Sequence, residues 1–492
     1  MRLPAGALTS DTGTAGAAPL PVFPCRARQW YPVGWCADLP VGRPHRVTLF
    51  DTDYAVVRRR GGPPSAHADV CPHRLAALSE GRVTAGGELQ CAYHGWRFAP
   101  GDGAASAPQA PGAALPCAQT FPCLERGGLL WLLPCSDEGA ADAAPPPAVP
   151  PELKGVEGDA GGGVVRDIPV DYTVLLENVV DFDHGVFAHQ AKGFDLYGGS
   201  RERPQRVVAS LSEGGAPTVR METDAVPKVL HPHQAERSSP SGAPRPLTAT
   251  SEFVAPCYVR TQRADAEGRT KFATVFWLVP TGVGRSRFLS RAISSFNPPR
   301  WLLAIGIYRF LDQDTYLLCT ENTHTLAAEF VANAKGLPFV RRRTYRYASP
   351  GERLLAKLGE WLDGAVPSQP KRYDVVPAGG ELAFYERAFA AAPRAVTLDR
   401  WAQGTAVSPP LQDAFRNLQV LQVSLAAAAV ACVCYAARGG GGRAVAITGA
   451  VIGLLAAAAC RWLAGQLAGP VKTEAHRDAD LLGIPALVPD PQ

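Results

Sequence analysis

The sequence predicts an α+β protein with two folded domains and a C-terminal hairpin of two apolar helices. Short stretches of alternating polar and apolar residues within 28–135 are typical of a β-rich domain. Residues 164–400 contain several strand-like stretches followed by a long helical stretch, an order that favours the α+β class. The segment 417–463 contains two long uncharged runs, each long enough to cross a bilayer.

The composition is that of an ordinary folded protein. A length of 492 residues predicts more than one domain. The net charge of +4, from 49 basic and 45 acidic residues, gives no reason to expect a nucleic-acid partner. Twelve cysteines are scattered without a framework of short spacings, which favours a reducing compartment. The remaining boundaries are a disordered or transit-peptide segment at 1–27, a linker at 136–163, a connector at 401–416 and a tail at 464–492.

In the second domain, β-branched and aromatic stretches bounded by turn residues predict strands, and a long helical stretch follows them. The predicted elements are strands at 206–211, 218–223, 248–254, 272–279 and 287–294 and a helix over 300–329.

Two mixed Cys/His pairs stand out in the first domain. Cys71 and His73 occupy C-P-H, and after 17 intervening residues Cys91 and His94 occupy C-A-Y-H. Two thiolates can hold one iron of a [2Fe–2S] cluster while two imidazoles hold the other, which is the Rieske arrangement. A zinc site is the alternative, but zinc modules usually pair Cys with Cys and His with His. The spacing favours the cluster. Because neither loop has a further cysteine, it resembles the oxygenase type of Rieske domain rather than the respiratory type.

A second metal-ligand pattern follows about ninety residues later. Asn178, Asp181 and His184 are three apart and fall along one face of a helix. His189 lies five residues beyond His184, so the two imidazoles cannot converge from a regular helix. A backbone break at Gly185 would bring them together. Two histidines and a carboxylate from elsewhere describe a facial triad for mononuclear non-haem Fe(II).

The chain resembles the plastid Rieske oxygenases typified by pheophorbide a oxygenase, with chlorophyllide a oxygenase and a 55-kDa inner-envelope translocon protein as relatives. The resemblance covers residues 28–465 and is carried by the segments 29–33, 43–47, 71–82, 91–98, 178–189 and 313–314. It implies a helix-grip fold for residues 164–400, in which an antiparallel sheet curves around a substrate cavity.

The third iron ligand has two candidates, Asp312 and Asp314. Residues two apart on a helix point about 200° apart, so only one of them can face the iron. The resemblance favours Asp314, because Rieske oxygenases place this ligand last in an acidic pair or in Gln-Asp. Asp312 stays the alternative.

Asp181 lies one helical turn before His184, close enough to hydrogen-bond its imidazole. The resemblance implies that Asp181 also bridges to a cluster histidine, His94, of a neighbouring subunit. Such a bridge needs a ring of subunits, for which a homotrimer is the expectation. Asp181 and Asn178 are therefore expected to be catalytic residues.

Two uncharged runs, 417–437 and 444–460, are joined by a glycine-rich turn. They predict two transmembrane helices with both ends on one side of a membrane. The alternative is a buried, alanine-rich helix pair in a soluble protein. The resemblance favours insertion into a chloroplast membrane, envelope or thylakoid. Relatives of this branch carry a C-x2-C shortly before the first helix, and here Ser408 to Leu411 stand in its place, so redox control by a dithiol is not implied.

Taken together, these patterns predict a Rieske non-haem iron mono- or dioxygenase. The resemblance implies ferredoxin or a similar reductase chain as electron donor and a hydrophobic substrate, a chlorophyll-derived tetrapyrrole. The alternatives are a chlorophyllide a oxygenase-type activity and a membrane redox or import-associated protein without substrate turnover.

Overall fold

The computed structural model describes most of the chain between Gln29 and Gly469. The described residues are 29–135, 147, 149–150, 153–160, 162–189, 196–199, 201, 204–211, 219–224, 226–227, 229–230, 248–265, 267–293, 298–439 and 441–469. The predicted N-terminal segment 1–27, most of the predicted linker and the tail from 470 lie outside them.

The first domain is built from short antiparallel strands. They are β1 Tyr31–Trp35, β2 Pro44–Leu49, β3 Thr52–Val57, β4 Ser65–Ala68, β5 Arg82–Val83, β6 Leu89–Gln90, β7 Arg97–Phe98, β8 Ala105–Ser106, β9 Thr120–Phe121, β10 Cys123–Arg126 and β11 Leu129–Leu132. They form three sheets, ordered β1-β11-β10, β2-β3-β4-β9 and β5-β6-β7-β8. Leu78, Leu89 and Phe98 form a small buried core that includes the sulfurs of Cys71 and Cys91.

The second domain contains one large antiparallel sheet. Its strands and two short neighbours are β12 Val164–Ile168, β13 Leu196–Tyr197, β14 Val207–Leu211, β15 Val219–Thr223, β16 Val226–Pro227, β17 Val229–Leu230, β18 Thr248–Val254, β19 Tyr258–Ala264, β20 Thr270–Gly282 and β21 Arg285–Ile293. The sheet runs β12-β21-β20-β19-β18-β15-β14, with β16 also paired to β18, while β13 and β17 pair separately. Buried and less buried residues alternate along β15 and β18, which gives this sheet one face toward the core.

Two helices lie between β12 and β13 in the chain, and the others follow β21. They are α1 Tyr172–Val180, α2 His184–Ala188, α3 Arg300–Ala334, α4 Arg341–Thr344, α5 Arg353–Ala365, α6 Leu382–Ala388, α7 Arg394–Thr397, α8 Arg400–Gln403, α9 Pro409–Ala437 and α10 Arg443–Ala468. Helix α1 packs against β20, β21 and α5, and α5 packs against β14 and β15. A long helix and a sheet thus enclose α1, the arrangement that the α+β prediction requires.

The two domains share a continuous core. The indole of Trp277 on β20 lies edge-on to Trp35 and Trp131 of the first domain, with ring centroids 5.8 and 6.3 Å apart. Arg287 on β21 pairs with Asp167 at 2.7 Å and donates to the carbonyl oxygen of Val33 at 2.8 Å. These apolar and charged contacts fix one domain against the other.

Most elements predicted for the second domain are present. Two strands of five or more residues were missed, as were the two-residue strands β13, β16 and β17. The predicted strands correspond to β14, β15, β18, β20 and β21, and the predicted long helix is α3. Strands β12 and β19 were not predicted. The predicted helix break at Gly185 is wrong in position. Helix α1 ends at Val180, and Gly185 lies inside α2.

Helices α9 and α10 form the predicted C-terminal hairpin and extend beyond the uncharged runs. The most apolar stretches of the two helices have a mean hydropathy of 2.0 and 1.9, and only 11% and 17% of each stretch is buried. They pack closely where Gly453 faces Ala429, since a Cβ added to this glycine would lie 3.2 Å from the alanine Cβ. By length and composition both helices could cross a membrane, and their exposed apolar faces do not fit the alternative of a buried pair.

The hairpin is bound to the catalytic domain at its base. Arg400 on α8 donates to the carbonyl oxygen of Gln466 at 2.9 Å, and the Thr405 hydroxyl donates to the carbonyl oxygen of Leu467 at 2.6 Å. These carbonyls belong to the last turn of α10, where no further helical N–H is available to bind them. The domain therefore caps the end of the hairpin.

Candidate metal centres

The first Cys/His pair lies on a tight loop after β4. The N–H of Cys71 donates to the carbonyl oxygen of Ala76, and the N–H of Leu75 donates back to that of Cys71, both at 2.8 Å. Leu75 adopts a left-handed backbone with φ of +61°. This closed turn buries Cys71 and leaves His73 exposed two residues later.

The second pair lies on a loop of the same design after β6. The N–H of Cys91 donates to the carbonyl oxygen of Trp96 at 2.8 Å, and that of Gly95 donates to Cys91 at 3.1 Å. Gly95 has a φ of +73° and occupies the place that Leu75 has in the first loop. The two loops thus present a buried cysteine and a more exposed histidine by the same backbone geometry.

The four side chains fit a cluster with two unlike irons. Cys71 and Cys91 are both 1% exposed, whereas the rings of His73 and His94 lie nearer the surface with centroids 4.7 Å apart. His73 also stacks on Trp96 at 4.5 Å. Two inner thiols and two outer imidazoles match the donor set of a Rieske [2Fe–2S] cluster, with the histidine-bound iron outermost.

The second centre begins where α1 ends. The N–H of Asp181 donates to the carbonyl oxygens of Glu177 and Asn178, and its own backbone is extended, so the helix cannot continue. The carboxylate of Asp183 accepts hydrogen bonds from Ser349 and Gly198, which lie far along the chain. These distant contacts hold the turn that starts α2 at His184.

Two histidines and one aspartate converge at this point. The Nε2 atoms of His184 and His189 lie 3.1 Å apart, and Oδ2 of Asp314 lies 3.7 and 3.4 Å from them. His189 reaches this position because its backbone becomes extended directly after α2, and its ring stacks on Phe310 at 3.5 Å. Among the described residues, this is the group of three His, Cys, Asp or Glu ligand atoms lying within 4.8 Å of one another.

The donor set fits a mononuclear iron. Asp314 is 3% exposed, and its Oδ1 is buried without a hydrogen-bond partner among the described residues. Burial raises the pKa of Asp314 to about 6 and lowers the pKa of His184. A carboxylate buried beside two neutral imidazoles is electrostatically costly by itself, and a bound cation offsets that cost. Two imidazoles and one carboxylate are the ligands of the facial triad in non-haem Fe(II) oxygenases.

Asn178 and Asp181 lie next to the triad, as the sequence predicted, but Asp181 makes a different contact. The Asn178 amide donates to Oδ2 of Asp314 at 3.3 Å. The Nδ1 atom of His184 is bound by the backbone carbonyl oxygen of Asp181, not by its carboxylate. That bond leaves Nε2 of His184 free to act as a ligand. The Asp181 carboxylate instead accepts from the N–H of Asp183 at 2.9 Å.

Asp312, the alternative carboxylate, points away from the histidines. It pairs with Arg166 at 2.7 Å and with Arg400 at 2.6 Å, and all three side chains are buried. The geometry therefore favours Asp314 as the ligand. No local pattern in the sequence could have revealed the two arginines, because they come from β12 and α8.

An open cavity of about 510 Å³ leads to the triad. Its lining includes His184 and Asp314, and the described residues that complete it are Glu177, Asn178, Asp181, Ala188, Leu317, Leu318, Glu321, Thr344, Tyr345, Arg346, Tyr347, Glu352 and Leu355. The hydrophobic substrate that the resemblance implies calls for a wide and mostly apolar cavity. The cavity is wide, but its lining combines apolar and polar side chains and contains four carboxyl groups besides that of Asp314.

The cavity wall contains a buried charge pair that the sequence analysis missed. Arg341 lies 3.2 Å from Glu177 and 2.8 Å from Asp363. Burial raises the pKa of Glu177 to about 8, although Arg341 opposes the shift. The three residues are far apart in sequence, so neither spacing nor motif signals this pair.

Comparison with known proteins agrees with both centres. Residues 29–122 match the Rieske [2Fe-2S] domain, and residues 253–329 match the pheophorbide a oxygenase domain. The chain is 27% identical over 436 residues to the chloroplastic pheophorbide a oxygenase of Arabidopsis thaliana, covering 82% of this chain and 74% of that protein. It is 29% identical over 322 residues to the chloroplastic flavonoid 8-hydroxylase 2 of Ocimum basilicum, covering 59% and 58%.

A solved structure supports the fold alone. Pseudomonas putida CBB5 NdmB aligns with a TM-score of 0.50 and 18% identity, over 72% of this chain and 96% of that one.

Proposed function

We propose that this chain is a Rieske oxygenase that oxygenates a chlorophyll-derived tetrapyrrole. Residues 29–122 match the Rieske [2Fe-2S] domain, and residues 253–329 match the pheophorbide a oxygenase family. The observation that carries the proposal is the convergence of His184, His189 and Asp314 on an open cavity of about 510 Å³. When bound, the cluster and the mononuclear iron supply one-electron transfer and dioxygen activation.

The protein's own residues have separate tasks in this reaction. Cys71, His73, Cys91 and His94 hold the cluster, and His184, His189 and Asp314 hold the iron. Asn178 orients the Asp314 carboxylate by its amide hydrogen bond, and the Asp181 carbonyl fixes the tautomer of His184. Removing either positioning group loosens the triad without removing a ligand.

Electron delivery is proposed to come from ferredoxin or a similar reductase chain. The Asp181 carboxylate lines the cavity and is not used by His184. Besides the hydrogen bond that it accepts from the N–H of Asp183, it is proposed to serve the bridge that the family resemblance implies, to His94 of a neighbouring subunit in a homotrimer. Analytical ultracentrifugation in detergent tests the trimer, and a monomer with full activity rules the bridge out.

We propose a chloroplast membrane as the location. Relatives such as the pheophorbide a oxygenase of Arabidopsis thaliana are chloroplastic, and α9 and α10 are long, apolar and exposed. A hairpin anchor keeps the cavity beside a lipid phase into which tetrapyrroles partition. Carbonate extraction of chloroplast membranes should leave the protein in the pellet. Release into the supernatant contradicts the integral anchor.

A flavonoid is the second substrate candidate. The likeness to a flavonoid 8-hydroxylase covers 59% of this chain, and the cavity carries acceptors for phenolic hydroxyl groups in Glu321 and Glu352. A redox or import component without turnover is the remaining alternative. The intact donor set of the triad supports an enzyme over that alternative.

Single-turnover chemistry tests the function. Protein reduced under anaerobic conditions receives isotopically labelled dioxygen together with one pigment from a panel of pheophorbide, chlorophyllide and protochlorophyllide, or a flavone. Mass analysis should show one labelled oxygen atom in a tetrapyrrole product and none without reductant. Label in the flavone alone would replace the tetrapyrrole with a flavonoid. Label in no substrate would favour the non-enzymatic alternative.

A further inference from the structure

The cavity lining contains more acidic than basic side chains. Its described lining contains the carboxyl groups of Glu177, Asp181, Glu321 and Glu352, and Asp314 is committed to the triad. Apart from the triad histidine, the lining has one cationic side chain among the described residues, Arg346.

Each of these carboxyl groups already has a partner within the protein. Glu177 faces Arg341, and Asp181 accepts from the N–H of Asp183. Glu352 accepts from the backbone N–H groups of Ala348 at 2.7 Å and Ser349 at 2.5 Å.

Glu321 is the remaining acid, and the Tyr345 hydroxyl hydrogen-bonds to it. None of the four carboxyl groups is thus left to neutralise Arg346.

Arg346 is exposed and differs from Arg341 and Arg342, two other arginines of this region. Arg341 pairs with Glu177 and Asp363, and Arg342 pairs with Glu360 at 2.6 Å. Arg346 lies between two cavity-lining tyrosines and forms no ion pair or side-chain hydrogen bond with any described residue. A guanidinium group offers a planar fork of donors that matches a carboxylate.

We propose that Arg346 binds a carboxylate of the substrate and selects substrates that carry a free acid on an apolar ring system. The inference rests on the proposed function and deepens it. Among chlorophyll-derived tetrapyrroles it selects those whose propionate is free, and it disfavours those in which the propionate is esterified.

Equilibrium binding tests the inference independently of turnover. Pheophorbide and its methyl ester differ in the charge of the propionate and in one added methyl group, and their fluorescence reports binding to the unreduced protein. The wild-type protein should bind the free acid about tenfold or more tightly than the ester, as expected for a hydrogen-bonded charge pair. Arg346→Gln should remove that preference, and Arg346→Lys should restore part of it.

A matched control comes from the same segment. Arg343 is exposed, is not part of the cavity lining although it directly precedes the lining residue Thr344, and has no side-chain partner among the described residues. Arg343→Gln should leave the preference for the acid unchanged. A preference that persists in Arg346→Gln overturns the role of Arg346 while leaving the oxygenase proposal intact. Failure of the wild-type protein to bind either pigment overturns the tetrapyrrole proposal itself.

Discussion

The two metal centres are built in opposite ways. The cluster site consists of two loops with the same hydrogen-bond pattern, each of which places its own cysteine and histidine. The triad instead takes His184 and His189 from a short helix and Asp314 from the middle of α3. A local motif can keep its shape while the rest of the fold changes, whereas the triad depends on how α1, α2 and α3 pack. The two centres should therefore respond differently to single substitutions.

The largest expected difference is between the two aspartates of α3. Asp314→Ala should lose the mononuclear iron, keep the cluster and lower turnover at least 100-fold, because it removes one of three ligands. Iron and acid-labile sulfide analysis with visible spectra measures both centres.

Asp312→Ala is the matched control. It should keep both centres yet destabilise the fold by about 3–5 kcal/mol, because Arg166 and Arg400 lose a buried partner. Thermal unfolding measures this loss. The ligand assignment is wrong if the two variants exchange their metal contents.

The cluster should be altered without affecting the triad. His94→Cys replaces a neutral imidazole by a thiolate. This change should either lower the reduction potential of the cluster or prevent the cluster from binding. The mononuclear iron should remain at the wild-type level. Electron paramagnetic resonance after reduction measures the cluster, and stoichiometric zinc without sulfide in the wild-type protein contradicts the Rieske interpretation.

Electron transfer between the two centres should slow in a variant that still binds both metals. Asp181→Asn keeps the backbone carbonyl that holds His184 but removes the carboxylate charge. Both metals should bind, and cluster oxidation in a single turnover should slow at least 100-fold. Rapid-mixing spectroscopy follows that oxidation. Wild-type rates in this variant show that Asp181 plays no part in electron transfer between subunits.

The smallest expected effect concerns the packing that supports the triad. Burial raises the pKa of Glu177 to about 8 from 4.5, so folding takes up a proton between these pH values. The associated stability is present below pH 4.5 and is lost as the pH rises to about 8. Glu177→Gln cannot take up the proton, so its melting temperature should fall less over this range. Exposed Glu381→Gln should keep the wild-type dependence.

The difference between the centres also explains what the sequence could predict. All four candidate cluster ligands could be predicted because each loop encodes its cysteine and histidine within four residues. The roles of His184 and His189 were expected, but the break that brings them together was placed at Gly185. The actual break is held by Asp183 through contacts with Ser349 and Gly198, which no local pattern announces.

The choice between Asp312 and Asp314 likewise depends on residues that are far away in the sequence. Spacing alone allowed only one of Asp312 and Asp314 to face the iron. Arg166 and Arg400 bind Asp312 on the opposite side of α3, and they come from segments far apart in the chain. The strands and the long helix followed from residue patterns, and the antiparallel sheet was implied by the family resemblance. The polar character of the cavity was not predicted, because its carboxyl groups come from separate helices and loops that only the fold brings together.

The cap at the base of the hairpin has a practical consequence for preparing this protein. Arg400 donates to Asp312 on α3 and to the carbonyl oxygen of Gln466 at the end of α10. Through this one side chain, the hairpin is joined to the helix that carries Asp314. Shortening the gene at Ser408 to obtain a water-soluble enzyme removes the acceptors of Arg400 and Thr405 together. Expression in nanodiscs or mild detergent with the chain intact to Gly469 preserves that joint, and with it the helix on which the iron site is built.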